Sequence, residues 1–441
     1  MPTTLRARGG WGFVLLLLFL FCRPPSLYSY SVLSHEALID TVWGPVIVPL
    51  LLARFPGASA KQLREAHAYA YGGCVIQDMG YYPFGSRLFS NLTHYARGAD
   101  FIKTLLGDAQ DIDEYAFALG ALSHYAADNT GHPLAVNLSV ADLYPKLESK
   151  YGRRVTYEDD PQAHMMVEFS FDVVQIAGDG YLPRSYHNYI GFKVSNALLE
   201  RAFAQTYGLS FGKLFLSEHL SIWIYEVGAS EVIPRLTQIL WQQKRKKILR
   251  LRPVLARHRW KYRVAPGNYQ REPYARRKGR RFALRRWASR WKLHSEQAQI
   301  GLISRFVVLS IELLPKIGPL RTLDFKPPTP GTQALFISSF RTTVERYRDL
   351  LRDAGEGRLN LQDRNFDTGR VIRAGDYRLA DQTYARWLNL LAAGHFASAS
   401  PALRKNILAY YTNWHAPSAI EGRSRRQRKL ARELAELRSS R

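Results

Sequence analysis

Cysteine is nearly absent from this chain: its 441 residues hold two, Cys22 and Cys74. Cys22 lies in the leading apolar segment, so a chain that sheds the segment keeps one thiol. That excludes an internal disulfide and leaves the core and bound ions to hold the fold. Cys74 itself reads as a small buried apolar residue rather than a ligand or a nucleophile. Alternating strand patterns are scarce, which argues against a sheet protein. The leading apolar run, Trp11 to Cys22, is about 12 residues, too short to span a bilayer. Acids are missing from one region: residues 244–292 hold 20 Lys and Arg against the single Glu272.

What is present is the composition of an ordered globular protein, 46% hydrophobic and 12% aromatic. Arg6 and Arg8 precede the apolar run, and Pro24, Pro25 and small residues follow it, so residues 1–29 read as a secretory signal. An exported chain, secreted or periplasmic, is expected, with an uncleaved anchor as the alternative. The formal charge of +25 is uneven. Segment 244–292 and the tail from 423 to 441 account for all of the excess, so basicity belongs to appendages and the remainder is formally neutral.

Helical periodicity dominates, and the expected fold class is all-α. Residues 35 to 54 repeat apolar positions at three- and four-residue steps up to Pro56 and Gly57; residues 61 to 71 do so up to Gly72 and Gly73. Asp113 to Asp128 reads as a core helix. A further helix is expected to Val174, with Asp160 as its cap and Pro161 at its first position. Two breaker-rich loops, Gly80 to Asn91 and Gly178 to Tyr189, carry aromatics that either wall a pocket or pack a loop. Helical patterns resume at 195–249, 295–315, 331–354 and 379–395. The layout is then a signal at 1–29, a helical domain at 30–243, a basic insertion at 244–292, a C-terminal helical region at 293–421 packed on the first, and a basic tail at 422–441.

The strongest local signal is HYAADNTGH. His124 and Asp128 are one helical turn apart and share a face, so they can bind one metal or bridge two. Gly131 and Pro133 are expected to end that helix and release His132. HMMVE repeats the spacing with His164 and Glu168; joined by His132, they make three protein ligands and leave a fourth position for water, as at a catalytic zinc. Either pair alone also fits a surface ion pair. Asp78 and His94 come from the segment GGCVIQDMGYYPFGSRLFSNLTHY (72–95), read as a loop, where a turn residue and a loop histidine are the bland alternatives. His67 reads as a packed helix histidine, while Tyr81, Tyr82 and Phe84 either stack on a cationic head group or simply pack. Asn129 and Asn137 either orient ligands or face solvent.

The segments YSVLSHEALID (30–40), AYAYGGCVIQDMGYYPFGSRLFSNLTHYAR (68–97), EYAFALGALSHYAADNTGHPLAVN (114–137) and HMMVE (164–168) together resemble the zinc-dependent phospholipase C family. That family also includes the catalytic region of glycosylphosphatidylinositol-specific phospholipase D. Coverage is roughly residues 30 to 200, and the resemblance implies an all-α phospholipase C/nuclease-like domain holding two to three Zn2+. Residue by residue it implies a first zinc on Asp78, His94, His124 and Asp128, and a second on His132, His164 and Glu168. A third would take His35, Asp128 as a bridge, and the amino group and carbonyl of a mature first residue, Tyr30. Tyr30 stands at the offset from His35 seen in several relatives, where Trp is common. The HxxxDxxxH step is similar to the phospholipase D branch, so C or D cleavage stays open.

Zinc lowers the pKa of bound water to about 7 and paired ions clamp an in-line displacement at phosphorus. No protein nucleophile is required, and Asp78 or a neighbouring carboxylate is expected to orient the water. The expected substrate is a phospholipid. The insertion's cations, interleaved with Trp260, Tyr262, Tyr274, Trp287 and Trp291, suit an anionic membrane surface. Nucleic acid is the alternative partner, and a solvated loop the bland one. The rival functions are a three-zinc single-strand nuclease and a non-catalytic, zinc-stabilised membrane-binding protein.

Overall fold

The computed structural model describes residues 31–178, 191–257, 325–412 and 425–439. In chain order the helices are α1 Val32–Val42, α2 Val48–Arg54, α3 Ala60–Cys74, α4 Arg87–Tyr95, α5 Gly98–Asp108, α6 Ile112–Gly131, α7 Asn137–Leu143 and α8 Pro145–Tyr151. They continue as α9 Pro161–Ala177, α10 Asn196–Tyr207, α11 Glu218–Val227, α12 Ile233–Leu251, α13 Pro330–Gly355, α14 Arg378–Ala393, α15 Pro401–Thr412 and α16 Arg425–Ser439. No strand occurs among the described residues, where the only β-type pairing is an isolated bridge between Arg364 and Val371. The all-α expectation holds.

Helix α6 is the axle. Asp111 caps it by accepting from the Glu114 N–H at 2.8 Å, and Asp113 and Glu114 add negative charge to its first turn. Nearly every side chain along it is buried, and α1, α3, α5 and α13 all pack on it. Its many alanines and Gly120 let those neighbours approach closely. Helix α3 starts from a capping box in which the Gln62 N–H donates to Ser59 Oγ and the Ser59 N–H donates to Gln62 Oε1.

Two local expectations are corrected. Helix α3 does not stop at Gly72 and Gly73 but runs through them to Cys74. A Cβ on Gly73 would lie 2.0 Å from the Phe117 carbonyl oxygen, and one on Gly72 would lie 1.7 Å from that of Lys193. These glycines serve close packing, which overrides their weak helix propensity. Nor does the chain leave its helical path after Gly131. It widens into a π-helical turn, His132–Val136, with Pro133 early in the turn, before α7 begins. Such a turn re-aims side chains without breaking the helix.

The first expected loop is also shorter than its breakers suggest. A 3-10 turn covers Ile76–Tyr81, and α4 begins at Arg87 with the Ser86 side chain accepting from the Phe89 N–H. Asp78 therefore sits in a helical turn and His94 on a helix. The loop expected from Gly178 to Tyr189 and the helix expected at 295–315 lie outside the described residues, apart from Gly178.

Helix α13 of the C-terminal region packs on α6. The Tyr347 hydroxyl of α13 donates to the Leu119 carbonyl of α6 at 2.8 Å, and the Tyr125 hydroxyl donates to the Gln362 carbonyl at 3.0 Å. Helix α12 runs unbroken through residues 243 and 244, so the first residues of the basic segment are helix. In the basic tail, α16 buries Leu434 and Leu437 and packs on α14 and α15. The run Val32–Arg54 has the length and composition to cross a membrane; α1 within it is almost wholly buried in this fold.

Candidate metal centre

Five elements deliver the candidate ligands: α1 brings His35, the 3-10 turn Asp78, α4 His94, α6 and its π-helical extension His124, Asp128 and His132, and α9 His164 and Glu168. All eight are almost completely buried. They form three groups whose donor atoms lie within 4.8 Å of one another: His35, His124 and Asp128; Asp78, His94 and His124; and His132, His164 and Glu168.

Asp128 joins the groups. One carboxylate oxygen lies 3.1 Å from His124 Nε2 and 3.5 Å from His94 Nε2. The other lies 3.6 Å from His35 Nε2 and 3.9 Å from His132 Nε2. Asp78 Oδ1 stands 3.3 Å from His94 Nε2 and 4.0 Å from His124 Nε2. In the third group Glu168 Oε1 is 2.8 Å from His164 Nε2 and 3.5 Å from His132 Nε2. The helical spacing thus does what periodicity implied, placing Asp128 beside His124 and Glu168 beside His164.

Two of the imidazoles are oriented from behind. His94 Nδ1 lies 2.7 Å from the Ser90 carbonyl and His124 Nδ1 lies 3.0 Å from the Cys74 carbonyl. Donation to those carbonyls puts the Nδ1 proton away from the cluster and leaves Nε2 as its inward donor. The rings of His35 and His124 stack at 4.6 Å.

The donor set fits divalent metal. Both oxygens of Asp78 and Glu168 and both nitrogens of His132 and His164 are buried without a hydrogen-bond partner. Their contacts with one another are close but lack hydrogen-bond geometry, as expected of donors aimed at common points between them. Uncompensated polar atoms of this number are costly in a core. Imidazole and carboxylate at three or four per point suit zinc.

In the metal-free fold, protons answer the same need. Burial alone would lower the His94 pKa, but the carboxylates of Asp128 and Asp78 override it and hold it at about 10. Burial also opposes charge on His132, and Asp128, Asp367 and Glu168 raise it to about 9. Asp128 sits well below the carboxylate range because His124 and His132 outweigh its desolvation. Glu168 goes the other way: burial raises it despite His164 and His132.

Aromatic rings wall the groups. Tyr81 lies 5.9 Å from the His94 ring, Tyr157 5.8 Å from the His164 ring, and the two tyrosines 6.0 Å from each other. Burial raises the pKa of both phenols, so both remain hydroxyl donors. Tyr82 instead packs edge-on against Tyr225 in the core, and Phe84 is half-buried against the same core. His67 stands apart, stacked on Trp43 at 3.8 Å with Asp40 at 3.2 Å. Asn129 bonds back to the Tyr125 carbonyl. Tyr30 and the insertion's Trp260, Tyr262, Tyr274, Trp287 and Trp291 lie outside the described residues.

Sequence reasoning missed the cover. Phe366 packs 5.3 Å from His94 and 6.2 Å from His124, and next to it Asp367 Oδ1 lies 3.4 Å from His132 Nδ1 and 3.9 Å from His164 Nε2. The following turn needs Gly369: φ is +67° there, and a Cβ would lie 2.7 Å from the Asn129 carbonyl oxygen. The only local signal was an Asp two residues before a Gly, which reads as an ordinary turn.

Residues 34–216 match the family model described as zinc dependent phospholipase C. Neither a curated protein nor a solved structure matches the chain.

Proposed function

Residues 34–216 belong to the zinc dependent phospholipase C family, and from that premise we propose that the chain is an exported, zinc-dependent phosphodiester hydrolase, phospholipase C-like in action on phospholipid head groups. The observation that carries this reading is the convergence of eight buried ligand-type side chains into three groups joined by His124 and Asp128. Asp78, His94, His124 and Asp128 would hold one ion and His132, His164 and Glu168 another. His35 and Asp128 would hold a third with the amino terminus of Tyr30.

Zinc bound there supplies Lewis-acid polarisation of phosphoryl oxygens and acidifies water. The residues do the rest. Asp78, with neither carboxylate oxygen hydrogen-bonded, orients the attacking water and accepts its proton. Tyr81 and Tyr157, beside His94 and His164 and 6.0 Å from each other, would offer ring faces to a phosphate ester with a cationic head group. No side-chain nucleophile takes part: burial pushes the Cys74 thiol well above its ordinary range. Trapping a stable phosphoryl-enzyme would overturn that step.

Residues 1–29 act as the export signal in this reading, and the basic segment 244–292 holds the domain at an anionic membrane. The test is a paired assay of the mature full chain on phosphatidylcholine vesicles and on single-stranded DNA, with and without chelator. Chelator-sensitive release of diacylglycerol is expected. Phosphatidic acid would reassign the bond to the D type, DNA cleavage alone would favour a nuclease, and turnover on neither would leave the metal a structural role. Deleting 258–292, beyond the buried end of α12, should weaken vesicle binding while hydrolysis of a soluble phosphodiester persists.

A further inference from the structure

Asp367 lies beyond the residues that match the family, yet it reaches the second metal group. It is 1% exposed, and a carboxylate so deeply buried must be paired. Oδ2 is fully engaged: it accepts from the Tyr157 N–H at 2.8 Å and from the Tyr377 hydroxyl at 2.6 Å. The main chain is held too. The Asn137 side-chain amide donates to the Asp367 carbonyl at 2.8 Å, and the Asp367 N–H donates to Asn365 Oδ1 at 3.0 Å. Four anchors therefore fix a side chain whose other oxygen, Oδ1, has no hydrogen-bond partner and faces His132 Nδ1 at 3.4 Å.

The comparison with the other imidazoles gives the arrangement its meaning. His94 and His124 each turn Nδ1 to a helix carbonyl, Ser90 and Cys74, and present Nε2 to the cluster. His132 lies in the widened turn, where Nδ1 has no hydrogen-bond partner. Its Nε2 points toward Glu168 Oε1 at 3.5 Å and Asp128 Oδ1 at 3.9 Å, and Asp367 Oδ1 stands on its Nδ1 side. We propose that Asp367 is a positioning residue for the second metal group. It takes the Nδ1 proton of His132 and so fixes Nε2 as the donor to the ion shared with His164 and Glu168. A carboxylate in this place also makes the imidazole a stronger base, and such partners commonly govern metal affinity about 10–100-fold. The C-terminal region, which carries no residue of the matched ligand set, thereby becomes part of the metal site.

This inference rests on the zinc reading of the site, and its test separates the two. The full chain and its Asp367→Ala, Asp367→Asn and Tyr377→Phe variants are titrated with zinc against a chromophoric chelator, and with cobalt followed by its visible spectrum. The wild type should bind more than one ion. Asp367→Ala should weaken one class of ion about 10–100-fold and leave the others unchanged. Asp367→Asn retains a carbonyl oxygen, like those behind His94 and His124, and should recover part of the loss. Tyr377→Phe keeps the carboxylate, loosens it by one hydrogen bond, and should weaken the same ion less. In a His132→Ala background, Asp367→Ala should add nothing, because it acts through that ring.

Unchanged affinity in Asp367→Ala, an additive effect in the double variant, or a lost cobalt ligand in Asp367→Asn would overturn the proposal. The last result would make Asp367 a direct ligand. If Asp367→Ala fails to fold, Tyr377→Phe decides. A wild type that binds no divalent ion would instead overturn the zinc reading itself.

Discussion

Gly73 and Gly120 meet where α3 crosses α6: a Cβ on Gly120 would lie 3.0 Å from the Gly73 Cα and 2.2 Å from the Ala70 carbonyl oxygen. The obstructing atoms are backbone, so neither helix yields by turning a side chain. This crossing also sets the metal site, because α3 leads directly into the turn carrying Asp78, and the Cys74 carbonyl at its end orients His124. Gly120→Ala should therefore destabilise the fold by about 1–3 kcal/mol and weaken metal binding as well. Urea unfolding of the metal-free and zinc-loaded forms measures both; an undiminished midpoint would show that the helices can part at no cost.

Asp128 is the residue common to the groups. Asp128→Asn removes a charge facing His35, His94, His124 and His132 at 3.1–3.9 Å. More than one ion should be lost per chain, and hydrolysis should fall at least about 100-fold. Elemental analysis of the purified variant checks the first, and turnover at saturating zinc the second. Loss of a single ion with the rest intact would rule out the bridging role.

The histidine shifts predict a dependence on pH that reverses when metal is bound. In the metal-free fold His94 and His132 are raised above 6.5, to about 10 and about 9. Their contribution to stability is fully present below pH 6.5 and is lost as pH climbs through 9 to 10. The melting temperature of the chelated protein should fall across that window. Both nitrogens must shed a proton before donating to an ion, so zinc binding near pH 7.5 should release protons. Calorimetry in buffers of different ionisation enthalpy reads that release directly.

Asp172 ties down the helix that carries His35. Its carboxylate accepts from the Leu33 N–H at 3.0 Å and from the Ser34 hydroxyl at 2.6 Å, in the first turn of α1. Asp172→Ala should cost about 1–3 kcal/mol and reduce occupancy of the His35 group before that of the His164 group. Equal loss at both would mean that the whole cluster, and not α1, had been disturbed.

What could be read without coordinates was what repeats within one helical turn. His124 with Asp128 and His164 with Glu168 were legible because four residues of helix return a side chain to the same face. Gly72, Gly73 and Gly131 misled for the corresponding reason. Their backbone preference says stop, whereas the facing helix rewards the absence of a side chain. Gly80, Pro83 and Gly85 crowd the segment and by themselves imply a loop at His94, although the Ser86 cap restarts a helix before it.

The residues by themselves determined the all-helical class, the ligand types and the two paired spacings, all of them properties of neighbours along the chain. Tertiary structure decided which pairs meet, that Asp128 stands among four histidines, and that Phe366 and Asp367 close over the groups. Those contacts join α6 to a turn more than two hundred residues later. No periodicity spans that separation; the packing of α13 on α6 and of α14 on α4 brings the turn home.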